Sequence, residues 1–196
     1  LNHDGVGEGA DAQFGKSGGR NFERIVIGYD SRVRGGDFAR VIAELFLAYG
    51  YSVYLFDEPC PYPMVTYAIP SEKVKAQVGI LISASHNDYR YNGYKLSCGN
   101  GSQFDPKERD EMYNKYIVPA TFDDIKLCPL SQAPAGKLHW LGGATPVEGV
   151  DYYGCQGNLI NINQAHAEHV KSFLFDKDMT ALPGEPLKIG YCAYHG

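Results

Sequence analysis

Three short stretches of this chain are apolar almost without interruption, and they alternate with stretches whose apolar residues recur at helical spacing. The strand-like stretches are Arg24-Ile25-Val26-Ile27-Gly28-Tyr29, Tyr51 to Phe56, and Gln77 to Ser83. Continuous rather than alternating hydrophobicity marks strands buried on both faces, which is the pattern of parallel sheets. Between the first two, Phe38, Val41, Ile42, Leu45, Phe46 and Tyr49 follow a helical period, with Asp37 placed to cap the helix and Gly50 to end it. Pro59, Pro61 and Pro63 break regular structure and open a short helix over Met64 to Ile69. The pattern predicts an α/β fold, a mostly parallel sheet of about four strands flanked by helices.

Beyond the third strand the chain turns polar from Ser85 to Arg90. Asn92-Gly93 is a turn dipeptide, Tyr94 to Ser97 a short returning strand, and Asn100-Gly101 a second turn. Helices are predicted over Pro106 to Ile117 and Ile162 to Phe175, the latter from apolar residues at 162, 165, 170, 173 and 174. Residues 118–160, rich in Pro, Gly and single aromatics, give no clear pattern. At the start, residues 1–22 are Gly-rich and read as a flexible segment. Residues 23–185 read as one domain. Asp176 to Pro186 has the composition of a linker, and Leu187 to Tyr191 reads as a strand that begins a second domain over 186–196, a truncated one.

Composition narrows the function. With 18 Lys+Arg against 23 Asp+Glu the formal charge is -5, and no basic block occurs, which argues against nucleic acid as a partner. No apolar run approaches the ~18 residues that cross a bilayer, so no membrane partner is expected. The five cysteines are scattered with no Cys-x-x-Cys pair, which fits reduced thiols and a cytoplasmic location rather than a zinc or redox motif. Gly15-Lys16-Ser17 lacks the earlier glycine of a phosphate-binding P-loop, since position 10 is Ala10. His166 and His169 sit three apart in a helical stretch and read as a solvated face, and His139-Trp140 as packing.

In open α/β sheets chemistry gathers at the carboxyl ends of the parallel strands. The third strand delivers Ser83-Ala84-Ser85-His86-Asn87 to that edge, and the returning strand brings Lys95 back beside it. A serine, a histidine and a lysine offer a nucleophile, a polar donor and a proton carrier, although the same residues also make an ordinary polar turn.

Ser83-Ala84-Ser85-His86-Asn87, followed by Tyr91-Asn92-Gly93-Tyr94-Lys95, resembles the phosphoserine loop of the α-D-phosphohexomutases, usually Thr-Ala-Ser-His-Asn-Pro and then Asn-Gly-Tyr-Lys. Ile27-Gly28-Tyr29-Asp30-Ser31-Arg32 resembles that family's first strand and loop, and Pro61-Tyr62-Pro63 its Pro-Thr-Pro turn. Lys188-Ile189-Gly190-Tyr191 resembles the opening of its second domain. The nearest branch is the eukaryotic phosphoglucomutase/phosphopentomutase one. The resemblance implies that Ser85 carries a phosphoryl group, gives it to one hydroxyl of a sugar phosphate and takes back the other through a bisphosphate intermediate. Lys95 is then the general base and acid, and His86 hydrogen-bonds the reacting oxygens. Arg32 and Asn92 order the loop or touch the phosphate, although Asn92 also suits a turn that needs positive φ. The implied cofactors are Mg²⁺, held in part through the phosphate on Ser85, and glucose 1,6-bisphosphate as activator.

The sequence departs from that pattern at Ser83, and at Asp88, where the family has Pro and where a carboxylate near a phosphoserine is unfavourable unless it points outward. The family's aspartate metal loop, Gly-Glu-x-Ser-Gly sugar loop and C-terminal phosphate loop have no counterpart in these 196 residues. The expectation is therefore a first domain, with the remaining mutase domains in cis if the protein is longer. The expected reaction is interconversion of glucose 1-phosphate and glucose 6-phosphate, with a phosphopentomutase or phosphomannomutase as the other mutase readings. A reading of a different class is that the chain alone is a non-catalytic, truncated binding or phosphoprotein module.

Overall fold

The computed structural model describes residues 23–175 and 188–192. One sheet of six strands organises them, in the order β4-β3-β1-β2-β5-β6. β1 (Arg24–Tyr29) lies between β2 (Ser52–Phe56) and β3 (Val78–Ile82), parallel to both. β5 (Leu138–Gly142) extends the parallel set beyond β2, and β6 (Leu159–Asn161) pairs parallel to β5. β4 (Tyr94–Cys98) alone runs antiparallel, as a returning strand on β3. The mostly parallel α/β sheet is thus as the apolar runs predict, but it has six strands rather than about four. β5 comes from residues 118–160, and β6 begins within them and ends at Asn161. β6 has only three residues, and β5 carries His139 and Trp140 among its apolar positions, so neither is a strong run.

Helix α1 (Gly35–Ala48) covers one face, burying Ala39, Ala43 and Leu47 against Ile25, Ile27, Val53, Leu55 and Ile80. Helix α2 (Tyr62–Ala68) covers the other, with Val65 and Ala68 against Val26, Phe56 and Leu81. Adjacent residues of one strand feed opposite faces, which is why the strands read as continuously apolar. Gly28 lets α2 approach β1, because a Cβ there would lie 2.5 Å from Val65 Cγ2 and 2.8 Å from Cys60 Sγ.

Asp37 is not the cap of α1. Arg34 occupies that position at φ 61, and Asp37 lies inside the first turn. α3 (Pro106–Met112) starts at the Asp105–Glu108 capping box and passes at Tyr113 into a π-helical turn that ends at Ile117. α4 (Ile162–Ser172) is capped by Asn161 and packs beside α2 and β5. The predicted strand at Leu187 to Tyr191 is not formed over its described residues, where Ile189 and Tyr191 are exposed. The Gly-rich segment 1–22, with Gly15-Lys16-Ser17, and the linker 176–186 lie outside the described residues. No helix among the described residues is long and apolar enough to cross a membrane.

Candidate active site

The chain runs from β1 through α1 to β2 on one side, then crosses through α2 to β3 on the other. The strand order therefore reverses between β1 and β3, and the loops leaving their carboxyl ends face each other there. One loop is Asp30-Ser31-Arg32. The other is the long connection from Ser83 to Gly93. Its neck is closed by the Ser83 N–H donating to Gly93 O at 3.0 Å, and only glycine fits at 93, since a Cβ would fall 2.7 Å from Ser83 O.

At the apex Ser85 is exposed and holds the left-handed conformation, φ 56, with its N–H donating to Ser83 Oγ at 3.1 Å. Such a backbone costs a non-glycine residue about 1–2 kcal/mol and persists only where the surroundings impose it. Arg32 imposes it. Its side chain is wholly buried, and Nε donates to Asp30 Oδ2 at 3.0 Å. Nη2 donates to Ser85 O, and Nη1 reaches Asn87 O and Asp88 O at 2.8 Å and Tyr91 O at 3.3 Å. Asp30, itself buried, also accepts from the Arg32 N–H at 3.2 Å, which fixes the arginine's entry. The guanidinium is thus spent on loop carbonyls.

Lys95 comes from β4, where its pairing with Leu81 sets its place beside the loop. Its Nζ donates to Ser85 Oγ at 2.5 Å and lies 5.7 Å from the centre of the Tyr62 ring. Tyr62 is in turn fixed by a 3.1 Å hydrogen bond between its hydroxyl and Ser97 Oγ. Sequence reasoning took Pro61-Tyr62-Pro63 as a turn and passed over this aromatic support. The available signal was the turn's place, directly after β2 on the same sheet edge.

His86 is exposed on the loop, with no hydrogen bond to the described residues. Asn92 Nδ2 donates to Val33 O at 2.9 Å, which ties the loop to the start of α1, while its Oδ1 has no partner among the described residues. Asn92 does not have positive φ; within this loop that conformation falls on Ser85. Asp88, the departure that threatened repulsion, pairs with Arg90 at 2.8 Å, so its charge is locally compensated. An exposed hydroxyl with an ammonium in contact, on a loop held from beneath by a buried guanidinium, can accept a phosphoryl group and hold its charge.

No cluster of three or more His, Cys, Asp or Glu side chains able to hold a metal occurs among the described residues. All five cysteines are free. Burial pushes the Cys60 thiol up to about 12.

The chain has relatives among known proteins. A human phosphopentomutase is 42% identical over 129 residues, covering 59% of this chain and 21% of that protein. A probable phosphoribomutase of Schizosaccharomyces pombe is 38% identical over 102 residues, 50% of this chain and 17% of its own. A phosphomannomutase of Mycoplasma pneumoniae is 33% identical over 130 residues, 53% of this chain and 23% of its own. The chain thus spans about a fifth of the length of these relatives. The crystal structure of a candidate phosphomannomutase from Thermus thermophilus shares the fold, with TM-score 0.52 at 22% identity over 77% of this chain and 27% of that one. The model of phosphoglucomutase/phosphomannomutase α/β/α domain I matches residues 6–118, more than half of the chain, and the chain accordingly belongs to that family.

Proposed function

We propose that this chain is the phosphoserine-bearing domain of a phosphosugar mutase, with Ser85 as the residue that gives and takes the phosphoryl group. The observation that carries the reading is the 2.5 Å contact of Lys95 Nζ with Ser85 Oγ on a loop locked by Arg32. In the forward half-reaction the bond from Ser85 Oγ to phosphorus breaks and a sugar hydroxyl forms the new bond to phosphorus. Lys95 Nζ, as the neutral amine in this step, takes the hydroxyl's proton and shares it with the freed Ser85 Oγ that it contacts. In the second half the bisphosphate returns its other phosphoryl group to Ser85 Oγ, and Lys95 gives the proton back to the departing sugar oxygen. His86 hydrogen-bonds the transferred oxygens. Arg32 and Asn92 act as positioning residues: the first fixes the Ser85 backbone, and the second anchors the loop to the start of α1.

The proposed sugars are glucose 1-phosphate and glucose 6-phosphate, with glucose 1,6-bisphosphate as activator. Pentose phosphates are supported about equally, by the names of the human and yeast relatives. Mg²⁺ and a cytoplasmic setting belong to the proposal as well, the latter supported by the unpaired cysteines. The reading is tested by incubating the protein with glucose 1,6-bisphosphate and mapping phosphate by peptide mass spectrometry. Phosphate on Ser85, and none after Ser85→Ala, is the expected result. A Ser85→Ala variant of the full gene product that still interconverts either sugar pair would overturn it.

A further inference from the structure

A second cleft, of about 650 Å³, opens at the carboxyl ends of β1, β2 and β5, on the α1 side of the sheet. Ser85 and Lys95 do not line it, while Asp30, Ser31 and Arg32, at the base of the Ser85 loop, do. Its floor carries Asp57 and Trp140, each only 4% exposed. Asp57 Oδ2 accepts from the Tyr152 hydroxyl at 2.7 Å, but among the described residues Oδ1 has no hydrogen-bond partner, and neither has Trp140 Nε1. Their positions are linked, since the Trp140 and Tyr152 rings meet edge-on at 5.0 Å. Buried polar atoms are nearly always paired, so an unmet acceptor and an unmet donor on one cleft wall point to a ligand that brings both a donor and an acceptor. The mouth is formed by the first turn of the 14-residue α1, where the cap residue Arg34 makes no side-chain capping bond and Gly36 brings backbone to the surface.

We propose that this cleft binds a small polyhydroxylated molecule of sugar size. Hydroxyls can accept from Trp140 Nε1 and donate to Asp57 Oδ1, whereas a phosphate brings its negative charge against the Asp57 carboxylate. The rings of Tyr29 and Tyr153 line the walls and offer apolar faces to a sugar's C–H groups. Charge at the mouth is mixed: Arg34 is paired with Asp37 at 3.3 Å, and Arg40 stands in the same cleft as Asp151. With no excess of positive charge, recognition rests on hydroxyls rather than on a phosphate. The inference does not depend on the chemistry proposed for Ser85.

Trp140 is the chain's one tryptophan, so its indole N–H gives a single nitrogen–proton NMR signal that reports on the cleft floor. Titration with glucose, glucose 6-phosphate and inorganic phosphate distinguishes the sources of binding. A saturable shift with both sugars and none with phosphate is expected. Loss of a hydrogen bond to a charged group in Asp57→Asn weakens it by roughly tenfold or more. Arg40→Gln, at an exposed position that the fold does not need, weakens it a few-fold, and Ser85→Ala leaves it unchanged. The proposal is overturned if neither sugar moves the signal, if phosphate alone moves it at the same midpoint, or if Ser85→Ala abolishes the shift. Unchanged midpoints in Asp57→Asn and Arg40→Gln would overturn it too. Circular dichroism shows whether Asp57→Asn is folded, and Arg40→Gln decides if it is not.

Discussion

Arg32→Met removes the guanidinium beneath the Ser85 loop while keeping most of its volume. Two losses follow. The Asp30 carboxylate, 4% exposed, is left as a buried charge without its ion-pair partner. Four loop carbonyls, those of Ser85, Asn87, Asp88 and Tyr91, lose a donor. Breaking a buried ion pair from one side costs about 3–5 kcal/mol. The carbonyls add little, because the loop is exposed and water can replace the donor. At about 2–4 °C per kcal/mol for a domain of this size, the melting temperature falls by roughly 6–20 °C. Urea unfolding followed by circular dichroism reads the same quantity. Arg32→Lys retains most of the loss, since one ammonium cannot reproduce a planar fork that reaches five acceptors. Asp30→Asn combined with Arg32→Met is less damaging than Arg32→Met alone, because the orphaned charge is gone. A loss below about 1 kcal/mol, the worth of a surface pair, would refute the clamp. So would a double mutant whose losses simply add.

Further expectations follow from the same geometry. Ser85→Gly removes the cost of the left-handed backbone and raises stability by about 1 kcal/mol in urea melts, while phosphorylation from glucose 1,6-bisphosphate disappears. Lys95→Met slows phosphoryl transfer by roughly 10²–10⁴-fold in a mutase assay of the full gene product, with little effect on stability. Cys60, buried and with its thiol pushed up to about 12, stays unalkylated by iodoacetamide in the native protein at pH 8, whereas exposed Cys192 reacts. Burial raises the Asp57 carboxyl above its ordinary value, so the folded state disfavours its charged form. The stability of the wild type relative to Asp57→Asn is therefore greatest below the unfolded carboxyl pKa, and falls as pH rises from there through the raised folded value. A flat difference between their urea midpoints across that range would contradict the assignment.

The three central strands were legible because burial on both faces leaves a one-dimensional trace: every residue of Val78–Ile82 is buried. β5 and β6 left no such trace. Trp140 and Leu141 are as deeply placed as the earlier strands, but His139 lies between Leu138 and Trp140, where it stacks on Tyr54 at 4.5 Å, and a five-residue window cannot tell that from a loop. The cap of α1 misled for a different reason. Asp37 has the right chemistry for a cap, but the chain reaches α1 through Arg34 in the left-handed region, and no local pattern of side chains announces that turn. The loop residues Ser85 and Lys95 were legible as a juxtaposition, since a hairpin must bring β4 back along β3. Arg32 was legible only as a choice between ordering the loop and touching the phosphate, because which of its donors go to carbonyls depends on the fold of a loop more than fifty residues away.

That distance has a consequence for how this site can change. The conformation of Ser85 is not set by its neighbours in the chain, since they offer it only the Ser83 hydroxyl. It is set by the loop leaving β1, through an arginine whose own position depends on Asp30 and on the parallel pairing of β1 with β3. The Ser85 and Lys95 side chains can therefore be altered at small cost to the fold, because they are carried on the loop and do not hold it. Asp30 and Arg32 cannot, because the buried pair is both part of the sheet edge and the mould in which the loop sets. Asp88 illustrates the tolerance of the carried residues: its added charge is absorbed by Arg90 two positions on, while the backbone around it keeps its bonds to Arg32.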